Sequence, residues 1–336
     1  MQSRLRLLRA LIVSGLGLAG CGPVPSSQAT IVGRSARSVG PVDLMVVPDD
    51  KADSILDAIR GARRRVLVEM YMLTAPDAVS ALLAARAAGA EVRVLLEPAP
   101  YGDPGANQPA FAALAAAGID VRWTARSVGL VHAKLIALDD TAAFIMTLNL
   151  TGAGLGSNRE YVAIDRDSGD VGWAERVWNA DAIGGDSGPP PAGARLLVSP
   201  VDARSRLGAS IDAATASIQI EIEELSDTDL VDRLIAARTS GIEVSIVAPA
   251  ANRSPATTAA LGRLAAAGAT VRVLARPVVH AKAMVVDGLR AYVGSMNFTR
   301  ASLDDNREFG LLLDDPASVA RIGATIATDS AAGLAF

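Results

Sequence analysis

The sequence predicts an α/β fold with two similar halves, each an α/β/α sandwich, related by a pseudo-twofold axis. Two observations predict this fold. Short apolar segments typical of strands alternate with amphipathic segments typical of helices, which favours parallel strands covered on both faces. The pattern His-x-Lys-x4-Asp also occurs twice, at His132 and at His280, with a spacing of 148 positions. We therefore expect a duplicated chain with one shared site at the interface between its halves.

The first half is expected over residues 41–168. In order, we predict a strand at 44–47, a helix at 52–62, a strand at 66–72, a helix at 77–88, a strand at 91–96, a helix at 108–117 and a strand at 120–123. The strands of the first motif follow. Their connections are too short for the crossovers that parallel strands need, so we expect antiparallel pairing there.

The second half is expected over residues 195–336 and repeats this order. We predict a strand at 196–198, a helix at 202–214, a strand at 217–222, a helix at 228–238, a strand at 243–248, a helix at 257–267 and a strand at 270–274, before the second motif. Residues 169–194, a helix followed by a Pro/Gly-rich linker, connect the halves. Trp173 and Trp178 in that helix are expected to pack in the core.

Residues 1–20 have the features of a signal peptide. Three arginines give a positive start, and the apolar run at 10–18 is too short to span a bilayer as a mature helix. The run ends in Leu-Ala-Gly-Cys, which resembles a bacterial lipobox, and Cys21 is the only cysteine in the chain. We expect lipidation of Cys21 and an exported, membrane-anchored envelope protein; the alternative is an ordinary secretory signal with an incidental cysteine. Residues 21–40 would form a flexible tether reaching on the order of 25 Å.

The charge of the chain argues against nucleic acid as a partner. The formal net charge is −4 at neutral pH, and removal of residues 1–20, which carry three arginines and no acids, leaves −7. A protein this acidic is not a general polyanion binder.

Each motif places a histidine and a lysine on one face of a strand, because alternate residues of a strand share a face. A matched pair of polar residues follows each motif on the next strand. The candidate set is His132, Lys134, Thr147 and Asn149 in the first half, and His280, Lys282, Ser295 and Asn297 in the second. Brought together across a twofold axis, these groups would bind a phosphate and stabilise the charge of its transition state.

These motifs resemble those of the phospholipase D superfamily, whose members carry two H-x-K-D motifs in one duplicated chain or in a dimer. The resemblance covers nearly all of residues 41–315, although Met146-Thr147 stands where Gly-Ser is usual. It implies a phospholipase D-like fold and a phosphohistidine intermediate. It also implies attack on phosphorus by His132 and acid catalysis by His280. We expect a monomer without a cofactor.

Two further matched pairs of acidic residues are expected to have different roles, one structural and one in the active site. Asp139 and Asp287 lie seven positions after each histidine, on the other face of the strand, and are expected to be structural. Glu160 and Glu308 lie 28 positions after each histidine. A carboxylate on the far ring nitrogen would fix the tautomer of a nucleophilic histidine, and we expect this orienting role for both. The alternative is a surface Arg-Glu pair on an edge strand.

Residues that could line the cleft are less clearly marked. Tyr71 and Glu223 occupy matching strands, together with Glu69 and Glu221, and Thr147 stands two positions before Asn149 of the first motif. All could contact substrate, or the strand residues could be polar residues at a sheet edge. With two histidines and one cysteine, a zinc site is not expected; carboxylate-bound magnesium or calcium remains open.

The expected function is hydrolysis or exchange of phospholipid head groups, with zwitterionic head groups preferred. Three alternatives remain: an exported nuclease with the same chemistry, a cardiolipin synthase-like transferase, and a catalytically inactive surface lipoprotein. The last predicts decay of the catalytic set, which both His-x-Lys motifs, both asparagines and both glutamates argue against.

Overall fold

In this computed structural model, the described residues are 42–125 and 128–336, and they form two eight-stranded sheets. One sheet belongs mainly to each half, and the predicted α/β fold with two similar halves is confirmed. The predicted signal peptide, the lipidation site at Cys21 and the tether lie outside the described residues. No helix within the described ranges is long and apolar enough to cross a membrane.

The elements of the first half follow the predicted order, with bounds within one or two residues of those expected. They are β1 (Asp43–Val47), α1 (Asp53–Gly61), β2 (Arg65–Met70), α2 (Pro76–Ala87), β3 (Glu91–Leu96), α3 (Gln108–Ala116), β4 (Asp120–Trp123), β5 (Lys134–Leu138), β6 (Ala142–Met146), α4 (Gly152–Gly156), β7 (Asn158–Asp165) and α5 (Ser168–Ile183).

The second half repeats this order and ends in a short extra strand. Its elements are β8 (Leu196–Ser199), α6 (Ala203–Asp212), β9 (Ser217–Ile222), α7 (Thr228–Thr239), β10 (Glu243–Pro249), α8 (Pro255–Ala266), β11 (Thr270–Leu274), β12 (Val278–Val279), β13 (Lys282–Val286), β14 (Arg290–Gly294), a π-helical turn (Ala301–Asp305), β15 (Glu308–Leu313), α9 (Pro316–Ala332) and β16 (Leu334–Ala335).

Helix starts in both halves carry local sequence signals. The side chain of Asp227 accepts a hydrogen bond from the Leu230 N–H at the start of α7, and Ser254 does the same for the first turn of α8. Such caps satisfy backbone donors that have no partner within the helix. Proline at the first or second position of α2, α3, α8 and α9 also favours a helix start there.

Each sheet combines a parallel and an antiparallel part. In the first half, β2, β3 and β4 are parallel, whereas β5, β6, β7 and β1 pair antiparallel. In the second half, β9, β10 and β11 are parallel, whereas β13, β14, β15 and β8 pair antiparallel. The predicted change from parallel to antiparallel pairing at the motifs is confirmed, so both motif strands lie at the centre of their sheets.

Three apolar layers hold the sheets together. Helices α1–α3 cover the outer face of the first sheet, and α6–α8 cover that of the second. The inner faces of both sheets share one core, to which α5 and α9 contribute. Trp173 and Trp178 in α5 are buried, as predicted, and the Trp178 indole donates to the Val68 carbonyl at 2.9 Å.

The halves also exchange backbone hydrogen bonds at their interface. Strand β12 of the second half pairs in parallel with β7 of the first, which sets Val279 opposite Arg159. The pseudo-symmetric contact is a parallel bridge between Val131 and Arg307. Each motif histidine follows one of these bridging residues, so the interface fixes the backbone of both motifs.

Candidate active site

The two motif lysines are the first residues of β5 and β13, and both are fully buried. The Lys134 ammonium donates to the His132 carbonyl at 2.8 Å, and Lys282 donates to the His280 carbonyl at 2.6 Å. The histidine side chains retain 13% and 17% exposure. The imidazoles therefore form the accessible floor of the site, and the ammonium groups lie beneath them.

Each histidine takes its carboxylate partner from the opposite half. His132 Nδ1 lies 2.9 Å from Glu308 Oε2 and hydrogen-bonds to it. His280 Nδ1 lies 2.8 Å from Glu160 Oε1, although that oxygen is not in line with the ring N–H, so the contact is close but is not an aligned hydrogen bond. Both glutamates are fully buried. A carboxylate at Nδ1 leaves Nε2 of each ring free for chemistry.

Each histidine pairs with the glutamate of the other half because the two halves exchange backbone hydrogen bonds at this point. The His132 N–H donates to the Arg307 carbonyl at 3.0 Å, and the His280 N–H donates to the Arg159 carbonyl at 3.3 Å. Glu308 and Glu160 are the next residues along the chain, so the same contact that docks the halves delivers each carboxylate. The predicted orienting glutamates are thus in place, each beside the histidine of the other half.

The two arginines are anchored from behind by buried aspartates, which the sequence analysis missed. Arg159 bonds Asp329 of α9 at 2.6 Å, and Arg307 bonds Asp181 of α5 at 2.8 Å. The arginines and aspartates are at most 6% exposed, which excludes the surface Arg-Glu alternative. Asp181 and Asp329 have the same 148-residue spacing as the histidines, and that spacing could have identified them.

The hydroxyl groups next to the motif asparagines do not line the cleft. Thr147, expected to contact substrate, is fully buried; it donates to Glu160 at 2.5 Å and accepts from the Tyr161 N–H at 2.9 Å. Ser295, expected to be catalytic, is also fully buried and accepts from the Phe309 N–H at 3.1 Å. Both expectations are corrected for one reason: these side chains face the neighbouring strand and position the backbone next to the glutamates.

The first motif has Met146-Thr147 in place of Gly-Ser, and the surrounding side chains pack differently to accommodate the larger residue. A Cβ added to Gly294 would lie 2.5 Å from the Gly310 Cα and 2.7 Å from the Tyr292 hydroxyl. In the first half, the residue matching Gly294 is Met146, which is fully buried in the outer core. The second half fills this space with the Tyr292 ring and the first half with the Met146 side chain, so the change does not indicate decay of the site.

Positions 71 and 223 make the site asymmetric. The Tyr71 ring contacts the His132 ring edge-on at 4.6 Å between centroids, and Lys134 Nζ lies 5.0 Å from the Tyr71 centroid. The carboxylate of Glu223 instead lies among polar groups of the second motif. Its Oε2 is 2.7 Å from Lys282 Nζ, 3.3 Å from Asn297 Nδ2 and 3.7 Å from His280 Nε2.

Glu69 and Glu221, which were weak candidates for the cleft, are fully buried behind it. Glu221 accepts from the Tyr161 hydroxyl at 2.6 Å. Burial, followed by the charge of Asp181, raises the pKa of Glu69 well above its usual value. Because their partners are the core groups Tyr161 and Asp181 rather than the motif residues, both expectations of a substrate-lining role are corrected.

Burial and the repulsion between neighbouring cations lower the pKa values of two residues of the first motif, Lys134 and His132. Burial and then the charge of Lys282 lower the pKa of Lys134 to about 7. Burial and the charges of both lysines also lower the pKa of His132, against the opposing effect of Glu308. Burial alone would raise the pKa of Glu223, but the neighbouring His280 and Lys282 bring it well below its usual value. These effects act across the interface, so the motifs share one site.

Asp139 and Asp287 lie away from this cluster, at turns that close the motif strands. The Asp139 carboxylate accepts the backbone N–H groups of residues 63–65, and Asp287 accepts those of residues 215–217. Both have a φ of 55°, a left-handed conformation that aspartate tolerates better than most residues. Each aspartate fixes the start of the strand that pairs with its motif strand.

Among the described residues, no group of three His, Cys, Asp or Glu side chains is arranged to hold a metal ion. The polar groups that could contact a phosphate are those of the two motifs: the imidazoles, the buried ammonium groups and the amides of Asn149 and Asn297. Two bases, two cations and two amides at one interface can perform nucleophilic substitution at phosphorus with general acid–base help.

Comparisons with known proteins give one family match for the chain. The sequence matches the family described as cardiolipin synthase, PLD-like domain, twice, over residues 55–181 and 207–329. No curated protein matches the chain.

Two solved structures share the fold over most of this chain. A phosphatidylserine synthase from Haemophilus influenzae aligns with a TM-score of 0.65 and 12% identity, over 88% of this chain and 87% of that one. Polyphosphate kinase from Porphyromonas gingivalis aligns with a TM-score of 0.66 and 16% identity, over 86% of this chain. The alignment spans 50% of the length of the kinase. The phospholipase D family member Nuc from Salmonella typhimurium aligns at 26% identity and a TM-score of 0.40, over 42% of this chain and 95% of that one.

Proposed function

Because the chain belongs to the cardiolipin synthase, PLD-like domain family, whose superfamily comprises phosphodiesterases and transferases, we propose that it cleaves phospholipid head groups in two steps. The observation that carries this proposal is the pair of histidines at one interface, each with a buried carboxylate at Nδ1, which leaves Nε2 as the ring nitrogen available for chemistry. Two such histidines are what a double displacement at phosphorus requires.

In the first step, His132 Nε2 attacks phosphorus and the bond to the leaving alcohol oxygen breaks. His280 donates its Nε2 proton to that oxygen, which leaves a phosphohistidine and a neutral His280. In the second step, His280 takes a proton from water or from an acceptor alcohol, whose oxygen attacks phosphorus and releases His132. The assignment of attack to His132 rests on the family resemblance of its motif.

The charge that builds on the phosphorus oxygens needs fixed donors. Lys134 and Lys282 are fully buried beneath the imidazoles, and Asn149 and Asn297 are less than one-tenth exposed. Donors already held in position stabilise a transition state without reorganisation during the reaction. We assign this role to the two lysines and the two asparagines.

The charge distribution favours a lipid over a nucleic acid. A nuclease needs free cations along a track, because its affinity comes mainly from neutralised backbone phosphates. Arg159 and Arg307 next to the site are buried and ion-paired, and Arg122 is paired with Asp120. Arg126, a further basic residue a few positions before the first motif, lies outside the described residues. A phospholipid presents a single phosphodiester and needs no such track.

The proposal also covers the group that accepts the phosphatidyl moiety and the place of the protein at a membrane. The family description names a synthase, so transfer to an alcohol is a natural variant of hydrolysis. A lipid anchor on Cys21 would hold the site within tether reach of an envelope membrane and raise the effective concentration of lipid.

The test is to incubate the purified full-length protein with mixed phospholipid vesicles, with and without added glycerol, and separately with single- and double-stranded DNA at about 0.15 M salt. We expect release or exchange of lipid head groups and little cleavage of DNA. The His132→Ala variant is the inactive control. Acid-quenched, label-trapped enzyme should carry phosphate on His132, and label on His280 would reverse the assignment. Efficient DNA degradation with intact phospholipids would replace this proposal with the nuclease.

A further inference from the structure

We propose that Glu223 selects phosphodiesters whose leaving alcohol carries a positive charge, such as an ammonium group two carbons from the ester oxygen. This inference rests on the proposed function, since it specifies the class of alcohol that the site releases. It concerns a carboxylate that the two-step chemistry does not use, because each histidine already has its own glutamate.

The position of Glu223 suits this role. Its Oε2 lies 2.7 Å from Lys282 Nζ and 3.3 Å from Asn297 Nδ2, where a phosphate oxygen would be bound. The side chain is 32% exposed, whereas Glu160 and Glu308 are fully buried. An arriving phosphate can therefore displace the Glu223 carboxylate into the solvent-facing part of the cleft.

The displaced carboxylate stays next to the leaving group. Glu223 Oε2 lies 3.7 Å from His280 Nε2, the atom proposed to protonate the leaving oxygen. A cation two carbons beyond that oxygen is within reach of a carboxylate so placed. Choline and ethanolamine esters have this arrangement, and a glycerol ester does not.

The charge balance of the site also favours a substrate with a cationic leaving alcohol. With both lysines and His280, the proposed acid, protonated, three cations balance the three carboxylates of Glu160, Glu223 and Glu308. A bound phosphodiester adds a further negative charge in a largely buried site, where unpaired charges are costly. An ammonium group on the same substrate cancels that addition and pairs with the carboxylate that the phosphate has displaced.

The residue at the position equivalent to Glu223 in the first half supports a role for Glu223 on one side of the phosphate only. Tyr71 occupies this position, and its ring contacts His132 while its hydroxyl accepts from the Tyr101 N–H at 2.7 Å. The nucleophile's side of the site is therefore lined by an aromatic ring, and the leaving-group side by a carboxylate. This asymmetry matches a substrate whose two ester arms differ, one apolar and one cationic.

The experiment compares short-chain phosphatidylcholine with phosphatidylglycerol of the same acyl chains, using the full-length protein and its Glu223→Gln variant. We expect the wild-type protein to prefer the choline ester. In Glu223→Gln the ratio of kcat/KM values should fall at least about tenfold, because a close charge pair is lost. Glu224→Gln, which removes the adjacent charge, should keep the wild-type ratio within about twofold if the effect is specific to Glu223.

The inference is overturned if Glu223→Gln leaves the ratio unchanged, or if it raises turnover of both esters equally. The second result would make Glu223 only a competitor for the phosphate. Should neither lipid be cleaved, the proposed function fails, and Glu223 is then tested by inhibition of bis(p-nitrophenyl) phosphate hydrolysis. Glycerophosphocholine should inhibit the wild-type protein better than glycerophosphoglycerol, and Glu223→Gln should lose that difference. Melting curves, with Glu223→Ser as a second variant, check that folding is intact.

Discussion

The crossed pairing of histidines and glutamates predicts that Glu308 controls the step that His132 performs. Replacing Glu308 by glutamine keeps the shape of the side chain and an oxygen that can accept from His132 Nδ1. It removes the charge from a bond of 2.9 Å whose acceptor is fully buried.

The size of the effect follows from that one contact. Hydrogen bonds to charged groups contribute about 1.5–3 kcal/mol, which corresponds to a loss of about 10- to 150-fold in rate. A pH signature accompanies the loss. Glu308 raises the pKa of His132, so its removal should lower that pKa further and move the acid limb of kcat/KM to lower pH. A merely structural defect would lower the plateau without moving the limb.

The assay is the pre-steady-state burst with a p-nitrophenyl phosphodiester, a substrate whose leaving group needs little protonation. Glu308→Gln should slow the burst by the factor given above, since attack by His132 is impaired. Glu160→Gln should leave the burst within about threefold of wild type and slow only the later turnover, because Glu160 serves His280. With label trapped on His132, a slow burst in Glu160→Gln and a normal burst in Glu308→Gln would refute the crossed assignment.

Three further predictions concern charge, metal and anchoring. Because the pKa of Lys134 is lowered to about 7 and its cation is needed to bind phosphate, kcat/KM should fall above about pH 7. Lys134→Arg should move this limb upward, and an unmoved limb would exclude Lys134 as its origin. Chelation by EDTA should leave activity intact, and a loss restored by magnesium would show that a metal stabilises the charge instead. Cys21→Ser should release the protein from the membrane fraction without changing its turnover of a soluble phosphodiester; continued partitioning after cleavage would exclude Cys21 as the anchor.

Much of the fold was predictable because its signals are local and repeated. Apolar periodicity identified the order of strands and helices, and the lengths of the connections identified where pairing becomes antiparallel. The constant spacing between His132 and His280 then placed both motifs at equivalent positions. These inferences need no knowledge of how the halves dock.

Apart from Asp181 and Asp329, the features that the sequence did not predict depend on how the halves dock or on how deeply a side chain is buried. The spacing between His132 and Glu160 is compatible with pairing inside one half, and only the exchanged backbone hydrogen bonds assign Glu308 instead. Likewise, strand alternation places Thr147 beside Asn149 without showing that its hydroxyl is buried against Glu160. The carboxylate of Glu223 is on the expected face, but its contact with Lys282 requires coordinates.

A fused duplication also permits what an assembly of two identical subunits cannot. In a symmetric homodimer every residue at the interface occurs twice, so a glutamate at position 223 would bring a second carboxylate to the same phosphate. Here one copy has Tyr71 at that place and the other has Glu223. Covalent linkage thus frees the two copies to diverge while the shared histidines, lysines and asparagines stay paired. Once the copies differ, the two ester arms of one substrate can be recognised separately.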